Sequence, residues 1–317
     1  MSFVGGGSDL PAFYRQHGGA VVSTAIDKYV YVTVNKKFDD WIRLSYSKTE
    51  EVKTVDGIEH KIVRATLRRL EIAGGIEITS VADIPSRGTG LGSSSSFTVG
   101  LLHALSAYQG HYMAAGDLAN QSCLIEIEDC GARIGKQDQY AAAYGGFNFI
   151  QFHQNDSITV DPIICRRELI EELEASIVSF YTGVTRNASD ILAEESQQME
   201  ENDASRRVMG RMVQLAYDLR CELQSNNLTA FGEILHENWM LKRSLMDGIS
   251  SSVIDEYYDR GRAAGATGGK LLGAGGGGFL IFIAPPDRHE AIARALPDLR
   301  RVDFRFEPRG SRIILFH

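Results

Sequence analysis

The chain has 317 residues, 44% of them apolar and 23% charged, which is ordinary for a globular protein and long enough for two domains. A net charge of −8 argues against nucleic acid or an anionic membrane surface as partner, and the longest apolar run, 279–284, is too short to span a bilayer. Nothing in the first seven residues reads as a secretory leader. The four cysteines show no C-x-x-C pairing, so they read as reduced thiols of a cytoplasmic protein.

Strand signals fill the first third. Residues 20–34 carry Val21, Val22, Ile26, Tyr29, Tyr31 and Val32, and 42–46 and 75–80 are shorter strands. Helical periodicity takes over at 94–108, with Phe97, Leu101, Leu102 and Leu105, and returns at 116–128. Gly145 and Gly146 predict a turn into a strand ending at Phe152, and 175–181 predicts another strand. Helix is expected over 187–247, broken near Asn202 and at Asn226 and Asn227, and again over 252–264. The end reads as strand, helix, strand at 278–284, 287–295 and 313–316. Irregular mixing of the two periods predicts an α+β fold rather than a doubly wound one. A shift toward helix near 160–175 divides the chain into an N-terminal domain, 1–165, and a C-terminal domain, 166–317.

The densest chemical signal is at 85–96. Pro85, Arg87, Gly88, Gly90, Leu91 and Gly92 run into Ser93, Ser94, Ser95 and Ser96 and then into the apolar helix. Glycines let backbone N–H groups turn inward, and a helix N-terminus adds open donors and a positive dipole end. The ligand that suits such a cradle is a phosphate. No lysine follows the last glycine, so the common G-x-x-x-x-G-K-[ST] loop is excluded. Two further glycine clusters lie at 5–9 and 268–278. The latter matches G-x-G-x-x-G at Gly273, Gly275 and Gly278, but a strand follows it where a dinucleotide fingerprint needs a helix.

Two carboxylates stand near these segments in sequence, Glu126 and Asp138. Phosphoryl transfer uses one carboxylate to hold Mg²⁺ and benefits from another that orients or deprotonates the attacking hydroxyl. Glu126, with Glu128 and Asp129, also reads as a solvated helix end.

In this order the three segments resemble the motifs of the GHMP kinases, the group of galactokinase, homoserine kinase and mevalonate kinase. The second motif corresponds to Pro85 through Ser94, the first to Gly5 through Asp9 and the third to Lys270 through Gly278. Gly5-Gly6-Gly7-Ser8-Asp9-Leu10-Pro11, Gly135-Lys136-Gln137-Asp138-Gln139-Tyr140 and Thr182-Gly183-Val184-Thr185-Arg186 look most like the D-glycero-D-manno-heptose 7-phosphate kinases. The resemblance implies an N-terminal domain like the second domain of ribosomal protein S5, a ferredoxin-like C-terminal domain and an active site between them. It also implies ATP-dependent phosphorylation of the anomeric C1 hydroxyl of a heptose 7-phosphate, for nucleotide-heptose and surface polysaccharide synthesis. A galactose or fucose kinase, or a non-catalytic sensor of ATP and sugar, are the alternatives.

Carried over residue by residue, the loop from Pro85, Arg87 and Gly88 through Gly90, Leu91, Gly92, Ser93, Ser94 and Ser95 would bind ATP. Ser94 and Glu126 would hold Mg²⁺. Asp138, at the twelve-residue spacing from Glu126 that galactokinases show, would be the base. Gly7, Ser8 and Asp9 would contact the sugar, and Gly275 and Gly276 would close over the phosphate or substrate. The family's usual cation before the first strand would fall ahead of Met1: either the start is truncated or misassigned, or another cation substitutes, with Arg87 and Lys136 as the candidates. The 7-phosphate calls for arginine. Arg186 is the first choice, with Arg15 and Arg43 behind it. A small-molecule sugar phosphate is the expected partner, and a homodimer is left open.

Overall fold

The computed structural model of the chain describes residues 1–84, 89–184 and 188–316. The chain opens with β1 (Ser2–Val4), α1 (Pro11–His17) and β2 (Gly19–Thr24). Together with β7 (Phe147–Phe152) and β8 (Ile158–Pro162) these strands form a sheet in the order β1-β2-β7-β8, antiparallel throughout. All of β2 is buried. Ala20 and Val22 enter one core and Val21 the core on the opposite face, so its apolar run does not alternate with polar residues.

A second sheet holds β3 (Val30–Lys36), β4 (Ile42–Ser45), β5 (Thr49–Val52) and β6 (Ile76–Ala82) in the order β3-β6-β4-β5. Here β4 and β6 are parallel, and α2 (Lys61–Arg69) makes the crossover that parallel pairing requires. Helix α3 (Ser93–Tyr108) lies between the two sheets. Val99 and Leu102 pack with Val21 and Ile150, while Leu101 and Leu105 pack with Ile76 and Ile78. A helix used on both faces explains the lack of a polar stripe. Then come α4 (Ala115–Cys123), a π-helical turn (Leu124–Asp129) and α5 (Gln137–Tyr144).

The second half contains α6 (Arg167–Ser176), β9 (Ile177–Tyr181), α7 (Ala188–Glu201), α8 (Asp203–Gln224), α9 (Phe231–Ser244), α10 (Ser252–Ala263), β10 (Gly268–Leu271), β11 (Phe279–Ile283), α11 (His289–Ala295) and β12 (Arg300–Arg301). Its sheet is antiparallel in the order β10-β11-β9-β12. Strand β11 alternates: Leu280 and Phe282 enter a core with Trp239 and Tyr258, and Phe279 and Ile281 join one with Phe3, Val4, Val22, Leu219 and Phe231. That last core is shared by both halves, with α8 and α9 against β1 and β2. The fold is two-domain α+β, and the expected 165/166 division falls in the turn between β8 and α6.

The helix breaks expected near Asn202 and Asn227 fall at the ends of α7 and α8. Asn202 Oδ1 caps α8 by accepting from Ala204 and Ser205 N–H. Three expectations need correction. Residues 313–316 form no strand, because their exposed β-formers find no partner strand. Helices α1 and α2 lay in stretches read only as turn or strand. The helix expected at 116–128 stops being α at Cys123 and widens. Among the described residues, no helix is long and apolar enough to cross a membrane, and all four cysteines are free thiols.

Candidate active site

Gly90 and Gly92 both take positive φ, 71° and 67°. Gly90 faces Gly273: a methyl on Gly90 would sit 2.2 Å from Leu272 O, and one on Gly273 would sit 2.4 Å from Gly90 Cα. The second and third glycine segments are therefore packed backbone on backbone. Gly92 is the N-cap of α3 and brings no capping side chain, so the first-turn N–H groups stay open for a ligand. Of the serines, Ser95 is buried and Ser93 Oγ lies 3.4 Å from Thr89 Oγ1. Ser94 is exposed, and its hydroxyl donates to Glu126 Oε1 at 2.7 Å.

Glu126 lies in the π-helical turn, where Cys130 N–H reaches back five residues to Ile125 O. The wider turn carries Glu126 inward to only 2% exposure, and its other oxygen accepts from Gln139 Nε2 at 2.6 Å. Ser94 Oγ and the Glu126 carboxylate are hard oxygen donors. That pair fits Mg²⁺, which takes few protein ligands and leaves the rest to substrate and water. No group of three or more His, Cys, Asp and Glu suited to a metal occurs among the described residues.

Asp138 is the second residue of α5 and packs against Gly92, where a methyl would come within 3.0 Å of its Cγ. Its carboxylate faces an open cleft yet is walled by protein. Although Asp138 is exposed at the cleft, the protein packed around its carboxylate, with Asp9 and Glu126 nearby, pushes it up to about 6, while the nitrogen of Met1 pulls the other way. Lys136 points elsewhere. Its Nζ lies 3.7 Å from Asp156 and 5.3 Å over the Tyr14 ring, so the structure does not bring it to Asp138.

The loop at 5–9 fixes the start of α5. Asp9 is 2% exposed, and its two oxygens accept from Gly7 N–H at 3.1 Å and Gln137 N–H at 3.0 Å. A carboxylate therefore sits at the positive end of the helix that presents Asp138. Gly135 makes this possible, since a methyl there would lie 1.8 Å from Asp9 Oδ2. Ser8 Oγ is buried between the N–H and C=O of Ala20.

Beneath the loop, Lys242 of α9 donates to Gly6 O at 3.3 Å and pairs with Glu195 of α7, both buried. A methyl on Gly7 would meet Glu195 Oε1 at 2.2 Å. Asn238 accepts from Gly5 N–H at 3.1 Å. Lys270 holds β1 by donating to Ser2 O at 2.9 Å and Phe3 O at 3.2 Å, and burial brings its amine down to about 7.

Gly275 and Gly276 clasp the 249 region. A methyl on Gly275 would meet Ile249 O at 2.7 Å, and Gly276 N–H donates to that carbonyl at 2.9 Å. Arg15 pairs with Asp156 and Arg43 with Glu77. Pro85, Arg87, Gly88 and Arg186 lie outside the described residues. Sequence reading missed Gly135, Gln139, Glu195, Asn238 and Lys242. Only Gly135 and Gln139 carried a signal, by flanking Asp138.

The loop and Asp138 open into one cavity of about 820 Å³ between β3, α3 and residues 307–316. Leu91, Gly92, Ser93, Ser96 and Asp138 line one part of it, and Val30, Val32, Val34, Val99 and Ala104 make an apolar wall.

The chain is similar to known proteins over most of its length. Residues 58–146 match the family description of the GHMP kinases N terminal domain, and 219–300 match that of the GHMP kinases C terminal domain, together more than half of the chain. The chain is 29% identical over 311 residues to D-glycero-alpha-D-manno-heptose 7-phosphate kinase of Campylobacter jejuni, covering 93% of this chain and 90% of the relative. It is 28% identical to mevalonate kinase of Pyrococcus horikoshii, covering 90% and 79%. Among solved structures, a D-glycero-D-manno-heptose 1-phosphate kinase from Bacteroides thetaiotaomicron superimposes with a TM-score of 0.80 at 27% identity, covering 98% and 94%.

Asp9→Ala orphans two buried N–H groups, so it is expected to cost about 1–3 kcal/mol of stability in urea unfolding. Lys242→Met leaves Glu195 buried without its counter-charge and is expected to cost about 3–5 kcal/mol. Adding Glu195→Leu to it should recover most of that loss in the same assay.

Proposed function

We infer the reaction from one premise: this chain belongs to the GHMP kinases and is a phosphotransferase with an alcohol acceptor. We propose that its substrate is a heptose 7-phosphate and that the phosphate of ATP goes to the anomeric C1 hydroxyl. The observation that carries the catalytic part is that Asp138 and the open N-terminus of α3 share one cavity. The heptose part is supported by the Campylobacter jejuni relative.

In this reading the triphosphate lies on the Gly90–Ser94 backbone, where N–H groups and the α3 dipole meet its charge. The purine and ribose run along the apolar wall formed by β3 and α3. Asp138 orients the C1 hydroxyl in line with the γ-phosphate and accepts its proton as the new P–O bond forms. Its raised pKa suits the task, since a base near 6 is ionised at neutral pH yet still takes a proton. Ser94 and Glu126 would hold Mg²⁺, which neutralises phosphate oxygens when bound. Gln139 keeps Glu126 in place by occupying its second oxygen. Asp9 and Lys242 fix the loop and helix start from which Asp138 works. Catalysis is then mostly positioning.

Asp138→Asn is expected to lower kcat by roughly a hundredfold to ten-thousandfold. Below pH 6 Asp138 already carries a proton and cannot accept another. The wild-type kcat/KM is therefore expected to rise with pH through about 6, and that acid limb should be missing from the variant. Near-normal turnover in the variant refutes the base. In a coupled ADP assay, heptose 7-phosphate is expected to exceed galactose, fucose and mevalonate in kcat/KM by about a hundredfold, the worth of one charge-assisted phosphate contact. Phosphorus NMR should place the new ester at C1. Equal use of unphosphorylated sugars refutes the assignment.

A further inference from the structure

A second cavity of about 590 Å³ lies outside the site just described, and its lining is mostly cationic. One wall is a single face of α2: Lys61, Arg64, Ala65, Arg68 and Arg69 stand at i, i+3, i+4, i+7 and i+8. The opposite face of α2 buries Val63 and Leu67 in the core, so the helix is held in place and presents its basic face outward. The other wall is Asp129 and Cys130, at the end of the π-helical turn that carries Glu126.

Charge in the groove is not balanced by the protein. Four cations face one lining carboxylate, Asp129, which pairs with Arg69 at 2.7 Å. Arg68 is drawn to Asp56 at the rim, at 2.6 Å. Among the described residues Arg64 donates to a neutral acceptor, Ile58 O, at 2.7 Å, and neither Arg64 nor Lys61 has an ion-pair partner. An excess of positive charge in a concave groove is unexpected in a chain of net charge −8, and it attracts anions from solution. Arginines on consecutive turns suit the oxygens of a phosphate group, which they bind in paired hydrogen bonds. Burial, then Glu126 and Asp129, push the Cys130 thiol up, and Lys61 and Arg64 pull it back, so these two cations act on the groove's floor.

We propose that this groove is a binding site for small anions bearing a phosphate group, separate from the catalytic cavity. It requires nothing of the reaction assigned above. The groove and the catalytic cavity share no lining residue; Asp129 of the π-helical turn lines the groove, while Glu126 of the same turn accepts from Ser94.

Cys130 lines the groove and serves as a reporter, while exposed Cys221 on α8 serves as the internal standard. The rates at which iodoacetamide alkylates the two thiols are read by mass spectrometry. Inorganic phosphate, glucose 6-phosphate and ADP are tested in turn against chloride at matched ionic strength. At ten times its dissociation constant, a bound anion is expected to slow Cys130 about tenfold and leave Cys221 unchanged. The anion that protects at the lowest concentration identifies the source of the phosphate group. Lys61→Gln with Arg64→Gln is expected to abolish protection, with buried Cys123 still resisting alkylation as in the wild type as a check on folding. The proposal is overturned if none of the three anions protects Cys130 beyond chloride. It is equally overturned if protection persists in the double variant.

Discussion

Everything at the centre of this molecule depends on where one buried carboxylate is held. Asp9 reaches from the first glycine loop to the start of α5 and accepts from Gln137 N–H, one residue before Asp138. Taking a carboxylate out of water is costly, and burial raises the Asp9 pKa, but two backbone N–H groups and Lys242 oppose that rise. The arrangement works only because Gly135 leaves room for the carboxylate and because the pair Lys242–Glu195 supports the loop from below. A chain of polar contacts thus runs from the helices of the second half, through the 5–9 loop, to the residue proposed as the base.

Backbone packing supplies the other constraint. Thr89 and Gly90 lie directly on Leu272, Gly273 and Gly278, and Gly275 to Gly278 touch the backbone at Val184 and Ile249. Loops that pack this closely exclude Cβ atoms, so the third segment is rich in glycine for the sake of loop-to-loop contact. The result is a closely packed rim beside an open helix N-terminus, with Ser94 at its edge. Close packing of this kind suits phosphoryl transfer, where the protein contributes chiefly by holding partners in line.

The parts legible in sequence were those with local causes. The glycine–serine run announced an anion cradle because turn geometry and helix start are written in adjacent residues. Asn202 announced a helix break because its side chain caps the next helix. The strand after Gly278 excluded a dinucleotide loop, and β11 is that strand. Less legible were residues whose partners are remote in the chain. Glu195 and Lys242 look like ordinary helix charges until α7 and α9 meet under Gly6 and Gly7. Lys136 looked like a neighbour of Asp138, yet the N-terminal turn of α5 sends the two side chains apart, and Lys136 goes to Asp156 and Tyr14. Residues 313–316 have the composition of a strand, yet they pair with no strand and lie across the cavity from β3, an edge strand.

By itself the sequence determined the α+β class, the order of most elements and the three glycine segments. Periodicity, capping and turn chemistry act over a few residues and need no tertiary context. Tertiary structure alone decided which of the singled-out residues face one cavity, and that Glu126 turns inward from a π-helical turn to Ser94 and Gln139 rather than sitting on a solvated helix end. It also decided that Asp9 spends its carboxylate on backbone N–H groups. Those outcomes depend on contacts between segments remote in the chain, 32 residues apart for Ser94 and Glu126 and 128 for Asp9 and Gln137, whose energies no local pattern records.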